Sequence, residues 1–120
     1  MTRYPELPQA MGILQDLGLH VRDIGLLSSA LARPSSSMFG VEAYPELEVK
    51  AASLLSSLSQ NHPLSDGNKP FSWVATLTFL ELNGVRIDID IDTAFSLVLN
   101  TAQSKTTLDE IADAFRAHSL

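Results

Sequence analysis

The segment "FSWVATLTFLELNG" at residues 71–84 leaves this chain few ways to fold. Phe71, Trp73, Val74, Ala75, Leu77, Phe79, Leu80 and Leu82 cover nearly the whole circumference of a helix. A helix that is apolar all round must be surrounded, so it belongs in the middle of a bundle. Asn83 and Gly84 supply its C-terminal stop. The 120 residues suffice for one such core, and residues 1–120 read as a single domain.

The flanking segments provide the surrounding helices. Pro8 opens a helix through Leu17, with Ala10, Met11, Leu14 and Leu17 on one side and Gly18 as its stop. Asp23 caps a second helix, "IGLLSSALARP", which Pro34 ends, and "SSSMFG" reads as a loop. In "AYPELEVKAASLLSSLSQ", Leu47, Ala51, Leu54, Leu55 and Leu58 follow the 3–4 spacing of a buried stripe. "VRIDIDID" alternates strictly and predicts a short extended piece. Asp92 is placed to cap "TAFSLVLNTAQ", and Thr107 with Glu110 forms a capping box ahead of "LDEIADAFRAH". The expected fold is all-α, about six helices around a central apolar one.

Composition narrows the function. Apolar residues make up 45% and charged residues 18%, a globular balance. Asp plus Glu outnumber Lys plus Arg, 14 to 8, so the net charge is −6. An acidic domain argues against direct nucleic-acid binding, which runs on clustered Lys and Arg. The absence of cysteine excludes disulfides and thiolate metal sites. No apolar run approaches a membrane span, and the N-terminus lacks a signal-peptide core, so the expected location is the cytoplasm.

The chemistry concentrates in "NHPLSDGNKPFS", residues 61–72, which feeds the N-terminus of the apolar helix. The first turn of a helix has backbone N–H groups without intrahelical partners, and the dipole adds partial positive charge. Gly67 allows close backbone approach, and Lys69 adds a cation. Asp66 is a hard oxygen ligand suited to Mg²⁺ shared with phosphates. His62 is of the one residue type whose ordinary pKa suits proton removal near neutral pH. These are the parts of a phosphoryl- or nucleotidyl-transfer site. The alternative is a polar turn, with Asp66 or Asn68 merely capping the helix.

"HPLSDGNKP" resembles the signature of the Fic/Doc family, and within it the Doc toxin branch, whose pattern runs His-x-Phe-x-Asp-(Ala or Gly)-Asn-Lys-Arg. "VRDIGLLSSALARP" and "TLTFLELNGV" resemble flanking helices of that branch, so the likeness covers about Val21 to Leu120. It implies a small α-helical toxin of a type II toxin–antitoxin module. Such a toxin transfers the γ-phosphate of ATP to translation elongation factor Tu and blocks translation, and relatives transfer AMP. Under the resemblance, His62 is the general base, Asp66 sits at the metal, and Gly67, Asn68 and Lys69 cradle phosphates. Lys69 favours phosphate over AMP transfer. ATP and Mg²⁺ are the implied cofactors. The implied partners are elongation factor Tu and an antitoxin whose tail folds onto a hydrophobic groove.

The sequence departs from the pattern twice. Leu64 stands for the usual Phe that anchors the loop, a change of size within one class. Pro70 stands for the usual Arg, a permanently charged phosphate donor. Pro also lacks a backbone N–H, and it pushes Lys69 away from helical torsions. A transition-state arginine contributes about 10³–10⁵ in rate, and one donor of a preorganised hole about 10²–10³. The expectation is a folded protein with strongly reduced transfer. A natural change and one selected against toxicity both fit Pro70. A catalytically silent antitoxin-binding module and a Fic-type AMP-transferase remain the alternative readings.

Other features carry less. "DIDID" at residues 88–92 resembles the start of a calcium loop, but Thr93 and Leu99 hold the positions of its Gly and bidentate Glu. His20 and His118 lack ligand partners at suitable spacing and read as surface or satisfied histidines. Trp73 reads as core. Glu42, Tyr44 and Glu46 fall where Doc-like proteins carry a flap, and they read as a solvated loop or an aid to target placement.

Overall fold

The computed structural model describes residues 1–120. It contains six α-helices: α1 (Leu7–Leu17), α2 (Ile24–Ala32), α3 (Leu47–Gln60), α4 (Asn68–Leu82), α5 (Ile91–Ala102) and α6 (Leu108–Ala117). The all-α expectation holds. Nineteen buried apolar residues form one core cluster. No helix is long and apolar enough to cross a membrane.

α4 starts three residues earlier than Phe71, so Asn68, Lys69 and Pro70 form its first turn. It buries Phe71, Ala75, Phe79 and Leu80, while Trp73, Val74 and Leu77 are only half-buried. α3 lies deepest, buried continuously from Lys50 to Ser59, and packs on α2, α4, α5 and α6. Its serines permit this, because small side chains allow close helix approach. Ser53 Oγ donates to the Lys50 carbonyl at 2.7 Å and Ser59 Oγ to the Ser56 carbonyl at 3.3 Å, so neither hydroxyl is stranded.

Caps set several helix ends. The Asp23 carboxylate accepts from Leu26 N–H at 3.1 Å and starts α2. Thr107 and Glu110 exchange the reciprocal bonds of a capping box at 3.0 and 3.1 Å. Gly18 closes α1 in the left-handed region at φ 70°. α1 buries Ala10 and Leu14, but Met11 and Leu17 stay exposed because only one edge of this short helix meets the core.

Three segments differ from the sequence expectation. "SSSMFG" is not a plain loop: β1 (Ser37–Met38) and β2 (Val41–Glu42) pair antiparallel. Phe39 and Gly40 between them both have positive φ, 52° and 80°, the pattern of a tight hairpin turn. Phe-Gly lacks the Asn or Asp that usually announces such a turn. α5 is capped by Asp90, whose carboxylate accepts from Thr93 N–H at 3.0 Å, and Asp92 lies inside the first turn. "VRIDIDID" stays outside the helices only through Asp90, since Ile91 and Asp92 begin α5, and it pairs only through an isolated bridge, Ile87 to Ser119, at the C-terminus.

Candidate functional site

The loop between α3 and α4 is pinned from several directions. The Pro63 carbonyl accepts from the Arg22 and Asp23 N–H groups at 2.8 and 3.0 Å. Ser65 N–H donates to the His20 carbonyl at 3.0 Å. Arg22 Nη2 donates to the His62 carbonyl. Leu64 is fully buried and bridges to Val21, so it does anchor the loop. The Asn68 side chain closes the loop on itself: its Oδ1 accepts from Leu64 N–H at 2.9 Å, and its Nδ2 donates to the Leu64 carbonyl at 3.3 Å.

This scaffold holds two unusual torsions. His62 lies at φ 52°, a left-handed value uncommon outside glycine, within this pinned loop. Gly67 caps α4 at φ 77°, and a Cβ there would meet Leu19 Cδ2 at 2.7 Å. Gly67 is thus required by both torsion and space.

His62, Asp66, Gly67, Asn68, Lys69 and Pro70, with Ser65, line one mainly polar cleft of about 230 Å³. The backbone N–H groups of Asn68 and Lys69 precede the first intrahelical bond, Phe71 N–H to the Gly67 carbonyl at 3.0 Å, and remain available to an anion. Gly67 N–H is taken by Asp66 Oδ1 at 2.8 Å. Asn68 offers the cleft its backbone, since its amide side chain serves the loop. Lys69 is exposed and enters none of the chain's ion pairs.

Pro70 is the third residue of α4, where an N–H would have no intrahelical acceptor, so the ring costs the helix no bond. Contrary to expectation, Lys69 is not pushed out of the helix. What Pro70 removes is a third backbone donor at the cleft.

One Asp66 oxygen stays outside these hydrogen bonds, which suits a hard cation shared with phosphates. No group of three or more His, Asp or Glu side chains converges anywhere in the chain, so a metal here would depend on the phosphates for most of its ligands.

Beside the polar cleft, Lys69 and Pro70 also edge an apolar groove of about 430 Å³ between α4 and α5. Trp73, Ile91 and Phe95 line it, with Ile91 85% and Phe95 65% exposed. Trp73 is therefore half-buried at a groove wall, stacked on Phe115 at 6.1 Å, rather than core. Sequence reasoning missed this groove, together with Leu19 and Arg22, because α5 and the α1–α2 connection reach the site only through the fold.

Glu42 and Glu46 are exposed as expected and Tyr44 is half-buried, but all three have partners. They bond to Lys50, Arg33 and Arg116 and hold the hairpin and the start of α3 to the body. His20 is exposed, and the carboxylates of "DIDID" form no metal cluster.

The model of the Fic/DOC family matches residues 6–80, which include the whole loop and most of α4. A protein named Toxin Doc from Mycolicibacterium smegmatis (strain ATCC 700084 / mc(2)155) is 51% identical over 96 residues. That alignment covers 78% of this chain and 74% of the relative. The match spans the helices that build the cleft as well as the loop that lines it, and the chain belongs to the Fic/Doc family.

Proposed function

We propose that this chain is the toxin of a toxin–antitoxin module. Its loop would transfer the γ-phosphate of ATP to translation elongation factor Tu, at a rate cut by Pro70. The observation that carries this reading is the gathering of His62, Asp66, Gly67, Asn68, Lys69 and Pro70 around one cleft at the open end of α4. The likeness to Toxin Doc supports the toxin class and, with it, an antitoxin partner.

In this reading His62 takes the proton of the acceptor hydroxyl as the new O–P bond forms. The bond from the γ-phosphorus to its bridging oxygen breaks, and ADP departs. The N–H groups of Asn68 and Lys69 and the Lys69 ammonium stabilise charge on the transferring group. Mg²⁺, shared by Asp66 and the phosphates, would supply further charge neutralisation. The reaction belongs to the cytoplasm, where ATP and the factor occur.

Labelled ATP tests the reading directly. The protein is mixed with elongation factor Tu and γ-labelled ATP, with and without Pro70→Arg. Transfer should rise about 10²–10⁵-fold in the variant. No label with either form would sink the proposal, and label retained from α-labelled ATP would mean AMP transfer instead.

A second reading, a silent antitoxin-binding module, draws on the exposed apolar groove beside Pro70. Such a surface suits an amphipathic tail. This reading expects tight antitoxin binding and no growth arrest on induction, even after Pro70→Arg.

A further inference from the structure

We propose that the polar cleft around Arg33 is a specificity subsite on the acceptor side, which receives the carboxylate of an acidic residue near the target hydroxyl. The proposal rests on the reading of the loop as a transferase site acting on a protein.

Arg33 is held firmly but left without a counter-charge. Its Nε donates to Tyr44 Oη at 3.1 Å, and its Nη1 donates to Ser57 Oγ at 3.1 Å and to the Ser53 carbonyl at 3.5 Å. The guanidinium carbon lies 5.7 Å from the centre of the Tyr44 ring. All these partners are neutral. The chain's ion pairs are Lys50–Glu42, Arg116–Glu46 and Arg116–Asp113, and Arg33 joins none of them. Nη2 donates to nothing in the chain. A half-buried guanidinium with a fixed orientation and free N–H groups is set for a planar oxyanion.

The surroundings fit a carboxylate side chain better than a nucleotide. Arg33 opens into a cleft of about 480 Å³ lined by Ser29, Ala32, Ser36, Ser57 and Asn61. Hydroxyl and amide groups supply further donors. Ala32 is the one apolar lining residue, and no aromatic side chain lines the cleft.

Position decides the role. The Arg33 cleft ends at Asn61, and the phosphate cleft begins at His62, with no lining residue in common. In the proposed reaction an acceptor hydroxyl must come to His62, which lines the second cleft and directly follows Asn61 of the first. An extended peptide advances about 3.3–3.6 Å per residue. The proposed acidic residue therefore lies a few positions along an extended peptide from the hydroxyl.

The test uses binding, so it does not depend on whether phosphate is transferred. Short peptide pools with a central threonine carry either Asp and Glu or Asn and Gln at the flanking positions. Titration calorimetry compares them on the unmodified chain, Arg33→Gln and Ser29→Glu, with circular dichroism as the check on folding. The unmodified chain should bind the acidic pool about tenfold more tightly. That preference should vanish in Arg33→Gln. It should also vanish in Ser29→Glu, which places a carboxylate in the cleft while keeping Arg33. An acidic preference that survives in folded Ser29→Glu overturns the proposal, as does its absence from the unmodified chain. Displacement of the acidic pool by ATP would assign the cleft to nucleotide phosphates and would also overturn it.

Discussion

Gly67 joins a left-handed torsion, φ 77°, to a side of the backbone already filled by Leu19. Substitution by Ala should cost about 1–2 kcal/mol from the torsion alone. Leu19 must also move, so denaturant unfolding should show at least that loss. Unchanged stability would mean that the turn is not held as described. Leu64→Ala should cost more, about 2–5 kcal/mol, because it leaves a cavity under the loop. The residues of the cleft itself were legible in the sequence. A helix start, a positive-φ Gly and a Pro in a first turn are decided by a few neighbouring residues. Arg22 was not legible, since it reaches the His62 carbonyl across 40 positions. Arg33 was hidden for the same reason, as its partners lie on α3 and beyond the hairpin.

The hairpin is fastened to α3 by one asymmetric ion pair. Lys50 is 1% exposed, and its Nζ donates to Glu42 at 2.8 Å and to the Pro34 carbonyl at 3.3 Å. Its ammonium also sits 5.6 Å from the centre of the Tyr4 ring. Burial would lower the Lys50 pKa, but the hydrogen bond to Glu42 and the Tyr4 side chain together raise it above the ordinary lysine value. The pair's contribution is therefore complete below about pH 10.5 and is lost as the pH climbs through the higher folded value. Its two ends are unequal. Glu42→Ala strands a buried cation and should cost about 1–3 kcal/mol. Lys50→Met leaves a Glu42 side chain that is already 54% exposed and should cost less. Thermal melts of the two variants give the order, and the reverse order would refute the latch. The strands themselves were invisible beforehand, because two-residue strands show no alternation to read.

The molecule as a whole should weaken from its C-terminal third in acid. The Asp90 carboxyl is held below its ordinary pKa by the hydrogen bonds from Thr93, and the Glu110 carboxyl by those from Thr107. Folded values below the unfolded ones mean that both caps stabilise at neutral pH. That contribution is lost as the pH falls through the lower folded values. Glu110→Gln keeps the shape of the capping box but removes its charge. The chain should be more stable than this variant at pH 7, and the gap should close as the pH drops below 4.5. A gap that persists in acid would show that the charge of Glu110 is not what matters.

The caps of α2 and α6, the stop of α1 and the residues of the polar cleft followed from the order of amino acids, because each depends on torsions and hydrogen bonds within about one turn of chain. Burial did not follow in the same way. The apolar α4 turned one edge to a groove, while serine-rich α3 went to the centre, because packing rewards small side chains where helices meet most closely. The apolar groove, the pinning of His62 by Arg22 and the uncompensated charge of Arg33 came only from the tertiary structure. Each joins segments far apart in sequence, and such contacts exist only once the whole core has closed around α3.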